Sequence, residues 1–239
     1  MRYKTYRTKD NKRVFHFIFK DQESMNRTFM RFSEFNESSI YKNRLFETTD
    51  ILKYIPKYYS IILRHNIPGE VYRKFYEKYS MNFSLDELKI IKIVQQDNRQ
   101  LINDFYIIAT FESDKARYNA IDHEIAHALY YLDRNYKSEI KRIVNKYTRT
   151  YKLDFSSMFK VLTYKQYDKA VWWDEIHAFL IDLDLGSVGF FYGRTFKEFV
   201  RRLFIRKLAL HCKYKRIAYE MKQVYDKYTK ELYLESINR

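Results

Sequence analysis

A chain of 239 residues is long enough for one large domain or two small ones, with a substantial buried core. Four glycines and two prolines are too few for the many tight turns of an all-β sandwich or barrel, and a single cysteine excludes both an internal disulfide framework and a cysteine-built zinc site. The formal charge of +15 favours polyanions or anionic membrane surfaces as neighbours but says nothing about fold.

The basic start, Met1-Arg2-Tyr3-Lys4, is not followed by the apolar stretch of a secretory signal, and no apolar run approaches membrane-spanning length. With one cysteine, a reducing compartment is the simpler reading, so the chain is expected to be soluble and intracellular.

In chain order, residues 1–20 read as a β-hairpin. Tyr3, Tyr6 and the run Val14–Phe19 flank the polar turn Lys9-Asp10-Asn11-Lys12, and His16 reads as a packed or edge strand histidine rather than a ligand. Helices are expected over about 23–35 and 49–59, the second interrupted by Pro56. Pro68-Gly69 is the strongest turn signal of the first half, with His65 in a solvated loop ahead of it. A short amphipathic helix follows through Val71, Phe75 and Tyr79. Ser84-Leu85-Asp86-Glu87 has the capping-box pattern and opens an apolar segment through Val94.

Phe105–Phe111 reads as a strand. If it lies at a sheet edge, its backbone can hold an extended peptide. Ser113 or Asp114 can cap the helix that follows. There Ile121, Ile125, Ala128, Leu129 and Leu132 form one buried stripe at helical spacing, with His123, Glu124, His127 and Tyr131 to one side of it.

His123-Glu124-Ile125-Ala126-His127 is the H-E-x-x-H arrangement. Residues four apart stack on one helix face, so the two imidazoles can share one tetrahedral zinc ion. Glu124 is placed to take a proton from the water that such a metal activates.

Beyond this helix, 138–147 and 155–164 read as helical. Trp172–Leu183 repeats the apolar stripe, and Gly186, Gly189 and Gly193 mark a loop. From about Thr195 the apolar spacing is helical, and residues 193–239 carry thirteen basic and five acidic side chains, a local net of 13 − 5 = +8.

A catalytic zinc site needs a third protein ligand. Glu175 is the first choice, since it flanks the apolar face of a helix expected in the same core, with the small Ala178 nearby. His177 is the runner-up, followed by Glu198 and His211. Asp174, Asp182 and Asp122 could orient the histidine rings from behind. Tyr131 and Tyr192 are candidate donors to the oxyanion of a tetrahedral intermediate.

The pair His123-Glu124-Ile125-Ala126-His127 and Glu175-Ile176-His177-Ala178 resembles the zincin metallopeptidases of the gluzincin type, in which a glutamate on a later helix completes the metal site. In outline it is similar to small intracellular zincins that cleave repressors. The likeness covers about residues 105–183. The gap of 175 − 127 = 48 residues is longer than in compact gluzincins. Phe179 stands where the thermolysin-like group has an aspartate.

The resemblance implies a predominantly helical α+β fold, a zincin-like core with a small sheet beside the H-E-x-x-H helix, Zn2+ as cofactor, and hydrolysis of peptide bonds in a protein substrate. A single domain over 1–239 is expected, with an N-terminal region (1–104), a metal-binding core (105–192) and a basic helical C-terminal region (193–239). The second reading is a zincin-fold binding protein that engages nucleic acid through Arg201, Arg202, Arg206, Lys207, Lys213, Lys215 and Arg216. A structural metal site or another metal-dependent hydrolase is the third.

Overall fold

The computed structural model describes residues 1–44, 46–54, 62–79, 82–97, 104–112, 120–182 and 208–238. They form a mixed α+β fold built on a five-stranded sheet. Strands β1 (Arg2–Arg7) and β2 (Arg13–Phe19) make the expected hairpin, in register from Arg2↔Ile18 to Arg7↔Arg13. Asn11 takes the positive φ that its turn requires, 65°.

The capped helix α1 (Gln22–Glu37) starts where Asp21 Oδ1 accepts the Ser24 N–H at 2.7 Å. Helix α2 spans Thr48–Tyr54, and Pro56 lies outside the described residues. Strand β3 (His65–Pro68) runs directly into α3 (Gly69–Lys78), so Pro68-Gly69 is a strand-to-helix junction rather than a free turn. Helix α4 (Leu85–Asp97) is opened by a reciprocal capping box: Ser84 N–H donates to Glu87 Oε2 and Glu87 N–H to Ser84 Oγ.

Strand β4 (Phe105–Phe111) leads towards the H-E-x-x-H helix α5 (Ala120–Leu132). Then follow α6 (Arg134–Arg149), capped by Asp133, α7 (Ser156–Tyr164), α8 (Trp172–Asp182), α9 (Leu208–Thr229) and strand β5 (Tyr233–Asn238). The sheet order is β3-β4-β2-β1-β5. β4 pairs parallel with β2, and every other pairing is antiparallel. The sheet order settles a point the sequence left open: β4 is an interior strand, and the edge beside the metal helix is β3. One expectation changes. The C-terminal region is not all helical, because β5 returns to pair with β1 at the opposite edge.

Strand alternation explains how the sheet serves two cores. Phe15, Phe17, Phe105, Ile107 and Ala109 face α1, α3 and α4 and join Phe29, Phe32, Phe35 and Phe75 in an aromatic core. Val14, Tyr106 and Ile108 face the other way, onto Ala128 and Leu132 of α5. With both faces covered, Phe105–Ala109 is buried at every position.

Helix α5 is therefore sandwiched. Ala128 and Leu132 meet the sheet, while Ala126, Leu129 and Tyr130 join the helical core of α6, α8 and α9. One apolar stripe was expected, and the helix presents two. Within the first core, Arg31 and Glu87 form a buried ion pair. Arg31 Nε donates to Glu87 Oε1 at 2.8 Å, and the guanidinium sits 4.7 Å over the Tyr79 ring. Among the described residues, no helix is long and apolar enough to cross a membrane.

Candidate metal centre

The i, i+4 spacing on α5 brings His123 and His127 to the same face, and both are buried. Their Nε2 atoms are 3.2 Å apart. Two unprotonated ring nitrogens held so close repel each other unless a proton or a cation lies between them. Ligands about 2.0–2.1 Å from a tetrahedral zinc ion lie roughly 3.3 Å from one another, close to the separation seen here.

Helix α8 crosses α5 and brings Glu175 to the same point. Its Oε1 lies 3.7 Å from His127 Nε2. One donor atom from each of His123, His127 and Glu175 falls within 4.8 Å of the other two, and all three residues are buried. Two imidazoles and a carboxylate, converging from two helices away from solvent, are a donor set that could hold a metal ion.

The electrostatics suit a cation. Burial alone would lower the His127 pKa, but the carboxylates of Asp174 and Glu175 outweigh it and hold it at about 10. Burial raises Glu175 to about 7, with His127 working against the rise. His123 is pushed well below its ordinary value, first by burial and then by the Arg64 charge. The negative field that keeps a proton on His127 would also attract a metal ion.

Asp174 Oδ1 lies 2.9 Å from His127 Nδ1, although the two atoms are not aligned for a full hydrogen bond. His177, weighed as a third ligand, instead belongs to the core behind the site. Its Nδ1 is 2.6 Å from the Asp174 carbonyl oxygen, its Nε2 is 3.2 Å from that of Ala126, and its ring stacks on Tyr130.

Glu124 is buried and turned towards β3. Its Oε1 lies 3.3 Å from Arg64 Nε. Burial raises its pKa, and Arg64, His127 and the Asn66 amide act against that rise. Asn66 is itself oriented by Tyr106, whose hydroxyl donates to Asn66 Oδ1 at 2.7 Å. His65 lies between these two residues and faces the opposite side. It is buried, not solvated, with Nδ1 2.6 Å from Ser33 Oγ and Nε2 2.7 Å from Asn26 Oδ1. This tie fixes β3 against α1, and so fixes where Arg64 and Asn66 stand.

A further carboxylate, Glu37 at the end of α1, stands within electrostatic reach of Glu175, His127 and Glu124. Burial of the Glu37 carboxyl and the nearby charge of Glu175 push its pKa well up. The Glu37 carbonyl accepts the Asp168 N–H at 2.7 Å, and the Ser39 N–H donates to the Gln166 carbonyl at 2.7 Å, so the end of α1 is strapped to the segment leading into α8.

Other expected residues lie elsewhere. Tyr131 Oη accepts the Glu70 N–H at 3.1 Å and packs on Tyr106, anchoring the start of α3. Asp122 accepts from Tyr225 Oη at 2.8 Å and Lys222 Nζ at 3.2 Å, docking α9 on α5. Lys215 is exposed, while Arg216 lies 4.0 Å from Glu220 and over the Tyr151 ring. Tyr192, Glu198, Arg201, Arg202, Arg206 and Lys207 lie outside the described residues, as do the side chains of Asp182, His211 and Lys213 and the expected caps Ser113 and Asp114.

Arg64, Asn66 and Glu37 carry no signal in the sequence. They come from a four-residue strand, the residue just ahead of it and a helix end, all distant in sequence from His123–His127, in a protein with 45 basic and 30 acidic residues. No protein-family model, curated protein or solved structure matches the chain.

Proposed function

We propose that the protein is a zinc-dependent peptidase with a zincin-like core, in which His123, His127 and Glu175 hold the metal and Glu124 is the general base. The observation that carries this reading is the convergence of two Nε2 atoms 3.2 Å apart and a buried glutamate, with a second buried glutamate immediately beside the first histidine. Two nitrogens and one oxygen from protein leave a fourth tetrahedral position, the pattern of catalytic rather than structural zinc.

Bound zinc supplies a Lewis acid that polarises a carbonyl and lowers the pKa of water towards neutrality. The chain's own residues do the rest. Asp174 steadies the His127 ring and favours the tautomer whose Nε2 faces inward. Glu124, held by Arg64 and Asn66, accepts the proton of the attacking water and returns it to the leaving amine. Strand β3 ends the sheet beside α5, where an extended chain can add to it by main-chain hydrogen bonds. A protein or peptide is therefore the substrate class this reading favours.

The test is cleavage of a mixed peptide library by zinc-loaded wild-type protein and by Glu124→Gln. Metal-dependent cleavage by wild type alone supports the reading. Zinc-loaded wild type that cleaves no peptide sinks it.

A further inference from the structure

Residues 134–152, helix α6 and the turn after it, hold seven basic side chains and one acidic, a net of 7 − 1 = +6 in a chain of formal charge +15. Tyr136, Ile140, Ile143 and Tyr147 are buried in the helical core. The charges that lean inward dock α9. Lys227 Nζ and Tyr228 Oη donate to Glu139 Oε1 at 2.9 and 2.8 Å, and Lys146 Nζ donates to Glu220 Oε1 at 2.9 Å. The exposed positions of α6 are four cations, Arg134, Lys141, Arg142 and Arg149, and the neutral Asn135, Ser138 and Asn145. None is acidic and none is apolar.

Two observations set this face apart from an ordinary solvated one. On α1, α3 and α4 exposed cations are matched along the helix: Arg27 with Glu23 at 2.6 Å, Arg73 with Glu77 at 3.0 Å, and Lys89 with Asp86 at 2.9 Å. Among the described residues, the ion pairs of α6 are those of Lys146 and Glu139, so its four outward cations have no carboxylate within ion-pair distance. Arg134 even stands in the first turn, where the helix dipole disfavours a cation. The second observation is Lys152. It takes a φ of 51°, in the left-handed region that favours glycine, while the Leu153 N–H donates to the Tyr147 carbonyl at 2.9 Å and closes the helix. An exposed lysine thus stands at the end of α6 where glycine would be easier.

We propose that the outer face of α6, continued by Lys152, binds the phosphate backbone of a nucleic-acid duplex. This function does not depend on the metal centre. Sixteen residues make a helix about 24 Å long. Over that length a duplex presents about fourteen phosphates. Arginine and lysine meet phosphate oxygens through charge-assisted hydrogen bonds, and the asparagines and serine between them can donate to the same oxygens. The apolar side of α6 is already used in the core, so the helix has nothing to insert into a lipid surface. Its exposed positions include no aromatic ring on which unpaired bases could stack. A polyanion with a regular, outward-facing backbone fits both facts. The face lies ahead of 193–239, the basic region that the sequence singled out.

The experiment follows the fluorescence anisotropy of a labelled DNA duplex of about 20 base pairs and arbitrary sequence, titrated with the full chain between about 50 and 200 mM salt. Five cations on phosphates predict a slope of log K against log salt of about −4.5, a loss of about 500-fold over that range. The triple variant Lys141→Gln, Arg142→Gln, Arg149→Gln is expected to bind more weakly, with a slope shallower by about 3. The control Arg27→Gln, Arg73→Gln, Lys89→Gln removes the same charge from α1, α3 and α4 and is expected to bind as wild type does. Equal loss in both variants would mean that net charge alone attracts the duplex, and overturns the assignment. So does wild type that binds no duplex at about 50 mM salt, or that binds the single strand or phosphatidylserine vesicles more tightly. An RNA duplex of the same sequence is titrated alongside. Binding of either duplex with the expected slope supports the assignment, and the tighter of the two names the ligand. Circular dichroism checks that both variants fold. Should the triple variant not fold, Arg142→Gln with Arg149→Gln is expected to make the slope shallower by about 2.

Discussion

Asp174 Oδ1 stands 2.9 Å from His127 Nδ1, and the next residue, Glu175, reaches 3.7 Å from Nε2 of the same ring. One turn of α8 thus addresses both nitrogens of one histidine, from behind and from the metal side. Carboxylates behind metal-bound imidazoles fix ring orientation and raise ligand basicity, and losing one costs about 10- to 100-fold in metal affinity. Asp174→Ala is expected to keep its helical circular dichroism and weaken zinc binding by that factor, measured by competition with a chromophoric chelator. An unchanged affinity would remove Asp174 from the site.

Glu124→Gln separates metal binding from chemistry. The amide keeps the side chain's size but cannot accept a proton. The variant is expected to bind zinc as wild type does and to lose about 10²- to 10⁴-fold in kcat, the range of a general base. A variant that retains wild-type cleavage would place the base elsewhere.

These expectations show what could be read from the sequence. The His123–His127 pair lies within one helix, where the spacing alone sets the geometry, and both residues stand where that spacing puts them. Glu175 could be named only as one of several candidates, because its reach depends on how α8 crosses α5. Arg64 and Asn66 were not legible, because β3 has only four residues, Arg64 lies just ahead of it, and Pro68-Gly69 reads as a turn although it joins that strand directly to the expected helix. The same short strand misplaced His65 in solvent. β5 was missed because, among the described residues, it pairs with β1 alone, more than two hundred residues earlier.

His16 and His65 make stability depend on pH. Burial lowers both to about 3, against about 6.5 in an unfolded chain. Between these values the unfolded chain takes up a proton that the folded one refuses, so their contribution is full above pH 6.5 and falls as the pH drops towards 3. The slope is at most about 1.4 kcal/mol per pH unit for each histidine. Buried carboxylates with raised pKa values oppose this trend, so the comparison is with His65→Gln at matched metal. Relative to wild type, that variant should recover about 2 kcal/mol between pH 7 and pH 5 in urea titrations. Parallel curves for the two proteins would show that His65 is not neutral in the fold.

The Arg31–Glu87 pair is a structural commitment of the aromatic core. Removing one partner leaves the other charge buried, which costs about 3–5 kcal/mol. Glu87→Ala also loses the capping box of α4, so it is expected at or beyond the upper end of that range in urea unfolding. A loss below about 1 kcal/mol would mean that the pair is solvated in solution.

The central claim is that His123, His127 and Glu175 hold one zinc ion, and elemental analysis of purified protein tests it most directly. Wild type is expected to carry one zinc per chain, and His127→Ala and Glu175→Ala, both shown to be folded by circular dichroism, to carry little or none. Full zinc occupancy in Glu175→Ala would contradict the three-ligand site, and zinc-free wild type after reconstitution would contradict the metal centre itself.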